Sequence, residues 1–212
     1  MKNNYAFFDF CDTIVNVQSA DDFIKFILIK NKNYHKLIIW YFLKSKLMDF
    51  LLKKTRLKKN RKFLLLLLLI GLKKSIIDDY AFLYYTEKLK IKLNEIILNK
   101  IKTLKSTHTI IIVSGGYSPY IKHFANEFSI DNVIANEFSY KKDFFTGKIT
   151  SNDCLGLEKV NRVKELLKIK NNKLENSIAF SDCFSDKPLF DFCESAYLIF
   201  YKNGIPQIKS YE

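Results

Sequence analysis

Five side chains in this 212-residue sequence could do chemistry together: Asp9, Ser114, Lys159, Asp182 and Asp186. Each stands at or just after the end of an apolar run, or at the start of a helical one. Carboxylates are hard oxygen donors, so Asp9 and Asp182 suit Mg²⁺. Such an ion, with a lysine, offsets the charge of a phosphate brought beside a carboxylate. Ser114 and Gly115 offer a hydroxyl and a closely approaching backbone N–H to phosphate oxygens. A carboxylate that attacks phosphorus gives an aspartyl-phosphate, a covalent route to phosphoryl transfer. Around the first acid the chain reads Phe7-Phe8-Asp9-Phe10-Cys11-Asp12-Thr13. An acid at a buried strand end needs a metal or a strong hydrogen-bond network, because unpaired buried charge is costly.

The elements that must hold these residues follow from the apolar pattern. Tyr5 to Phe8 reads as a short buried strand. Thr109 to Val113 is a second, running into Ser114-Gly115-Gly116 and a helix from Tyr120 to Phe128. Asn132 to Ala135 is a short third strand. Glu137 to Tyr140 and Lys148 to Thr150 read as a hairpin with Gly147 in its connection. Gly156-Leu157-Glu158-Lys159 opens a helix to about Lys168. Ser177 to Ser181 forms a strand that ends in Asp182-Cys183-Phe184-Ser185-Asp186, and Ala196 to Tyr201 a last one. Alternating strands and helices predict a doubly wound, mainly parallel α/β sheet. In such a sheet the carboxyl ends of the strands converge on one crevice.

Residues 16–105 break this alternation and read as helical throughout, from a start at Ser19-Ala20-Asp21-Asp22, with Ser19 as the capping hydroxyl. Leu37 to Leu43 and Phe63 to Ile70 are very apolar, but a bilayer span needs about 20 apolar residues. They are expected to be two buried helices. The competing reading is a membrane-surface element, with Lys53 to Lys59 facing lipid.

Charge is unevenly placed. Residues 16–105 hold 21 Lys/Arg and 7 Asp/Glu, a net of +14, whereas the rest holds 14 and 15, a net of −1. Such a segment favours anionic partners: a phosphorylated small molecule, a lipid phosphate or an acidic membrane surface. Nucleic acid is disfavoured, because no nucleic-acid module surrounds the lysines. Cys11, Cys154, Cys183 and Cys193 lack metal spacing and no signal peptide is recognisable. They read as reduced thiols of a cytoplasmic protein, one that could sit at the inner face of the membrane. His35, His108 and His123 are scattered and read as surface or packing residues.

The ordered pieces resemble the haloacid dehalogenase (HAD) superfamily. Its first motif is Asp-x-Asp-x-Thr after a strand, here Asp9-Phe10-Cys11-Asp12-Thr13. Its second is an apolar strand ending in Ser or Thr, here Ile110 to Ser114. Its third is a lysine at a helix start, here Lys159, and its fourth an acidic pair after a strand, here Asp182 and Asp186. The Asp182-x-x-x-Asp186-x-Pro188-Leu189 form is similar to the phosphoserine-phosphatase-like branch, and so is a helical stretch between the first two motifs. The resemblance implies a HAD-like catalytic core of residues 1–15 and 106–212 with an all-helical cap at 16–105. It implies a Mg²⁺-dependent phosphatase with Asp9 as nucleophile and Thr13, Ser114, Gly115 and Lys159 on the phosphoryl group. The metal would be held by Asp9, the Cys11 carbonyl and Asp182, with Asp186 positioning its water or orienting Lys159.

One residue departs from the pattern. Cys11 stands where family phosphatases carry the acid that protonates the leaving oxygen, and a thiol is a poor replacement. Asp12 is a candidate substitute acid, although an in-register strand end would point it elsewhere. Cys11 and Cys183 could form a redox pair, but small core thiols explain them more simply. A phosphotransferase, and a non-catalytic phosphate- or partner-binding protein, are the alternative readings.

Overall fold

Tyr5–Phe8 (β1) lies at the centre of the sheet, and Ala6, Phe7 and Phe8 are wholly buried. The computed structural model describes residues 4–46, 48 and 61–211. β1 pairs in parallel with Thr109–Tyr117 (β2) on one side and Leu174–Ser181 (β6) on the other. Asn132–Asn136 (β3) extends the sheet beyond β2, and Cys193–Lys202 (β7) beyond β6, both parallel. With Ile205–Ser210 (β8) at the far edge, the strand order is β3-β2-β1-β6-β7-β8, so a crossover separates the halves at β1. Ligands bind outside the carboxyl ends at such a switch point.

Side chains alternate across the sheet as a two-residue period requires. Ala6, Phe8 and Phe10 face one way, onto the helices between β1 and β2. Phe7, Ile111, Val113 and Ala179 face the other way, onto Val160, Val163, Leu189 and Phe190. The last four sit on Leu157–Leu167 and Lys187–Phe192.

Between β1 and β2 the described residues form Ser19–Lys30 (α1), Tyr34–Leu43 (α2), Arg61–Leu66 (α3), Lys74–Tyr84 (α4) and Glu95–Leu104 (α5), with short tighter or wider turns between them. Asn94 caps α5 by accepting from Ile96 N and Ile97 N, and its amide donates to Thr13 O at 3.0 Å. It thereby ties the loop after β1 to the helical insert. The cluster Lys53 to Lys59 lies outside the described residues. Among the described residues no helix is long and apolar enough to cross a membrane.

Several sequence expectations are corrected. Ser19 begins α1 but caps nothing, because its hydroxyl is turned inward to Cys11 and Tyr120. The second apolar stretch is buried at Leu65, Leu66 and Leu69, but α2 is not a buried helix, and only Trp40 along it is buried. Composition alone cannot say which side of an all-apolar helix meets solvent. The hairpin Phe138–Lys141 (β4) and Phe144–Ile149 (β5) turns at Lys142 and Asp143, both with positive φ, and not at Gly147. Two positive φ values make the mirror-image turn that matches strand twist. Gly147 instead lies within β5 at φ +82°, where an added Cβ would come within 2.6 Å of Ile70. The hairpin also exchanges backbone bonds with the insert, through Gly71 N to Phe145 O and Phe145 N to Leu72 O. A strand absent from the sequence reading, Ile205–Ser210 (β8), closes the sheet edge antiparallel to β7.

Candidate active site

Asp9 leaves β1 with its backbone N–H still bonded to Phe180 O of β6, at 2.9 Å. Its carboxylate therefore projects from the carboxyl end of the central strand. Lys159, in the first turn of Leu157–Leu167 (α7), reaches it from below. Its Nζ donates to Asp9 Oδ1 at 2.8 Å and to Asp186 Oδ2 at 2.5 Å. All three residues are at least nine-tenths buried. Burial pulls the lysine toward its neutral form, but Asp9 and Asp186 beside it outweigh this and hold it charged. Burial is also the main influence on Asp9, raising its carboxyl, with Asp186 adding and Lys159 opposing.

The second acidic group is fixed by hydrogen bonds to its own loop. Ser181 Oγ donates to Asp186 Oδ2 at 2.6 Å, and Cys183 N donates to Ser181 Oγ. Asp182 N donates to Thr13 Oγ1 at 3.0 Å, and that hydroxyl donates back to Asp182 Oδ1 at 3.2 Å. Burial, then the charges of Asp9 and Asp12, push the Asp182 carboxyl up to about 7.

These residues meet a crevice of about 380 Å³, lined on the sheet side by Asp9, Ser114, Gly115, Lys159, Asp182 and Asp186. Ser114 Oγ accepts from Gly116 N at 3.0 Å, which leaves its own proton free to be donated. Gly116 lies close under Ser118–Glu127 (α6), where an added Cβ would come 2.7 Å from the hydroxyl of the buried Tyr120. The opposite wall comes from the helical insert: Gln18, Asp21, Lys44, Arg61 and Lys62. Lys44 pairs with Asp21 at 2.6 Å. Lys62 crosses to the sheet side, donating to Gly115 O at 2.6 Å and to Asp153 Oδ1 at 2.5 Å. Asn136 donates to the same two acceptors and receives Cys154 N.

The predicted residues separate into two groups. Asp9, Cys11, Ser114, Gly115, Lys159, Asp182 and Asp186 all line the crevice. Thr13 does not; it is wholly buried and its hydroxyl is engaged by Asp182. Asp12 does not line it either. It sits at φ +49°, a conformation that aspartate tolerates better than most residues, and its carboxylate accepts from Gln18 Nε2 at 2.5 Å. Cys11 lies 2.9 Å from Ser19 Oγ, and burial, reinforced by Asp9, pushes its thiol up to about 11. Cys183 is exposed and accepts from Ser185 Oγ. Lys62, Asn136 and Asp153 were not legible, since no motif marks them and their meeting depends on the insert folding back over β2.

Among the described residues no three His, Cys, Asp or Glu side chains are grouped to hold a metal by themselves. The donor set nevertheless suits a hard cation completed by a backbone carbonyl. Asp186 Oδ1 is buried without a hydrogen-bond partner, and Asp9 is close enough to Asp182 to raise its carboxyl. A cation bound by oxygens relieves that repulsion.

Comparison with known proteins agrees with this geometry. The family model of the haloacid dehalogenase-like hydrolases matches residues 6–191. No curated protein matches the sequence. A protein of unknown function from Bordetella pertussis Tohama I superposes with a TM-score of 0.75 at 18% identity, over 90% of this chain and 87% of that one. A phosphoserine phosphohydrolase-like protein from Francisella tularensis subsp. tularensis SCHU S4 gives 0.62 at 21% identity, over 95% and 88%. A phospho-aspartyl intermediate analogue of phosphoserine phosphatase gives 0.59 at 17%, over 92% and 86%. With β1, β2, α7 and β6 delivering the four motifs to one crevice, the chain belongs to the haloacid dehalogenase-like hydrolase family.

Proposed function

We propose that this chain is a Mg²⁺-dependent phosphomonoester hydrolase that works through a phosphoryl group on Asp9, with Cys11 in the place of the usual general acid. The observation that carries this reading is the buried Lys159 bridge to Asp9 and Asp186, at 2.8 and 2.5 Å, on the floor of the crevice. A lysine so placed opposes the burial that favours the protonated Asp9 carboxyl, and so supports its ionised, attacking form. The structural likeness to a phospho-aspartyl phosphatase analogue supports the same chemistry.

Asp9, Asp182 and the Cys11 backbone carbonyl would hold the ion, with Asp186 behind them. When bound, Mg²⁺ supplies positive charge against the phosphoryl oxygens. Ser114 donates its hydroxyl to the phosphate, and Lys159 shares its charge between nucleophile and substrate. A carboxylate oxygen of Asp9 bonds to phosphorus as the bond from phosphorus to the alcohol oxygen breaks. The departing oxygen takes a proton from solvent water, because the neutral Cys11 thiol is a poor donor. Water then attacks phosphorus, freeing Asp9 and phosphate, and its proton passes to solvent.

Cys11 limits the second step. A thiol pushed up to about 11 is neutral near pH 7 and is a very weak base. Thr13 positions Asp182 instead of touching phosphate. Asp12 serves the turn and not the chemistry. The helical insert acts as a cap, and Lys62 fastens it to the loop that carries Ser114 and Gly115. Substrates are phosphorylated small molecules or lipid phosphates small enough to enter beneath it.

The test is phosphate release from an activated aryl phosphate and a panel of phosphomonoesters, with Mg²⁺ or with chelator. Release that requires Mg²⁺ and vanishes in Asp9→Asn is expected. Equal release by Asp9→Asn would remove Asp9 as nucleophile and end this reading.

A further inference from the structure

The solvent side of α2 is apolar. Tyr34, Ile38 and Phe42 recur at four-residue spacing and so form one stripe, and they are 62, 69 and 49% exposed. Ile39 and Tyr41 flank the stripe and are also exposed. Trp40, on the other side of the helix, is buried in the core. A surface helix ordinarily turns its apolar stripe inward. A contiguous outward patch of this kind marks an interaction surface. The segment is lysine-rich: from Phe23 to Met48 the chain carries six lysines and no Asp or Glu, of which Lys30 pairs with Glu87 and Lys44 with Asp21. Another of them, Lys25, lies 4.9 Å from the Tyr41 ring centre and 5.2 Å from that of Trp40.

We propose that this face seats the protein on an anionic lipid surface. In this arrangement α2 lies in the plane of the bilayer interface, with Tyr34, Ile38 and Phe42 entering the boundary between headgroups and acyl chains. Lys32 and Lys36 of the same segment meet the headgroups. Two observations select lipid over protein. Tyrosines with an apolar body and a polar tip suit a bilayer interface, where one end is dry and the other wet. A lysine-rich segment complements anionic headgroups. The same charge disfavours a second copy, since packing α2 on α2 would bring two lysine-rich segments together. With ten residues, α2 makes a surface contact and not a span, so salt weakens it. The contact is independent of the reaction assigned to the crevice.

The test is co-sedimentation of the full chain with vesicles of phosphatidylcholine alone or of a mixture rich in phosphatidylglycerol. Binding to the anionic vesicles alone, released by high salt, is expected. Ile38→Asp/Phe42→Asp should weaken it by at least about tenfold with no change in melting temperature. Should that pair alter folding, Lys32→Glu/Lys36→Glu tests the same contact by charge alone, with the same expected direction. Failure of the wild type to sediment, or equal binding by both variants, would overturn the proposal. So would a dimer in sedimentation velocity that Ile38→Asp/Phe42→Asp dissolves.

Discussion

Thr13 and Asp182 hold each other across 169 residues of chain: the Asp182 N–H donates to the Thr13 hydroxyl, and the hydroxyl donates to the Asp182 carboxylate. This closes the loop after β1 onto the loop after β6. A residue of the first motif thus orients an acid of the fourth. We predict that Thr13→Val lowers Mg²⁺ affinity about 10- to 100-fold, the usual range for a residue that orients a ligand, while the substrate KM at saturating Mg²⁺ changes little. A KM increase with Mg²⁺ affinity unchanged would return Thr13 to the phosphate.

Cys11→Asp supplies an acid that can also act as a base. Steady-state turnover should rise, by a factor on the order of 10², with most of the gain in hydrolysis of the acyl-phosphate. Cys11→Ser should give no such gain. If Cys11→Asp is slower than wild type, the thiol has a role of its own in the reaction.

Lys159→Met would leave the buried Asp9 and Asp186 facing each other without a cation. Breaking a buried ion pair on one side costs about 3–5 kcal/mol, a large part of a typical domain's stability. The urea midpoint should fall accordingly and activity should be lost. An unchanged midpoint would mean that the bridge contributes nothing to the fold.

The raised Asp182 carboxyl makes stability depend on pH. Its folded value of about 7 lies above its ordinary value of 3.8, so the folded state holds the proton more tightly than the unfolded one. That contribution is full below about pH 4 and is lost as pH rises through 7. In chelator, the melting temperature of wild type should fall between pH 5 and pH 8 by more than that of Asp182→Asn. Mg²⁺ should restore more of it at pH 8 than at pH 5. Parallel pH curves for the two proteins would contradict this.

The thiols should differ in reactivity. Burial pushes Cys11 and Cys154 up to about 11 and Cys193 up to about 12, whereas Cys183 is exposed. Near neutral pH a maleimide should modify Cys183 first, as peptide mapping would show. Rapid labelling of Cys11 would mean a thiolate, and with it a different role in the reaction.

How much of this was legible depended on how local each signal is. β1, β2, β6 and α7 announce themselves, because an apolar run ending in Asp9, Ser114 or Asp182 is a local pattern. The β8 hairpin was also written locally, in Asn203-Gly204, whose φ values of +53° and +77° suit the two-residue turn. Pro206 beside it and the polar residues of the edge strand obscured the pattern. The site's other wall was not legible. Lys62 lies 53 residues from Gly115 in sequence and meets its carbonyl only through the packing of the insert. The exposure of α2 was hidden for a related reason: Tyr34–Leu43 is apolar on nearly every side, so its sequence does not name the face that packs.

The proposed reaction passes through a phosphoryl group carried by Asp9 and released slowly because Cys11 cannot act as a base. Acid-quenched peptide mapping of the wild-type protein, after brief mixing with Mg²⁺ and an aryl phosphate, tests it most directly. One added phosphoryl group is expected on the peptide containing Asp9, accumulated in wild type and scarce in Cys11→Asp. Phosphate release with the label absent from that peptide in both proteins would contradict it.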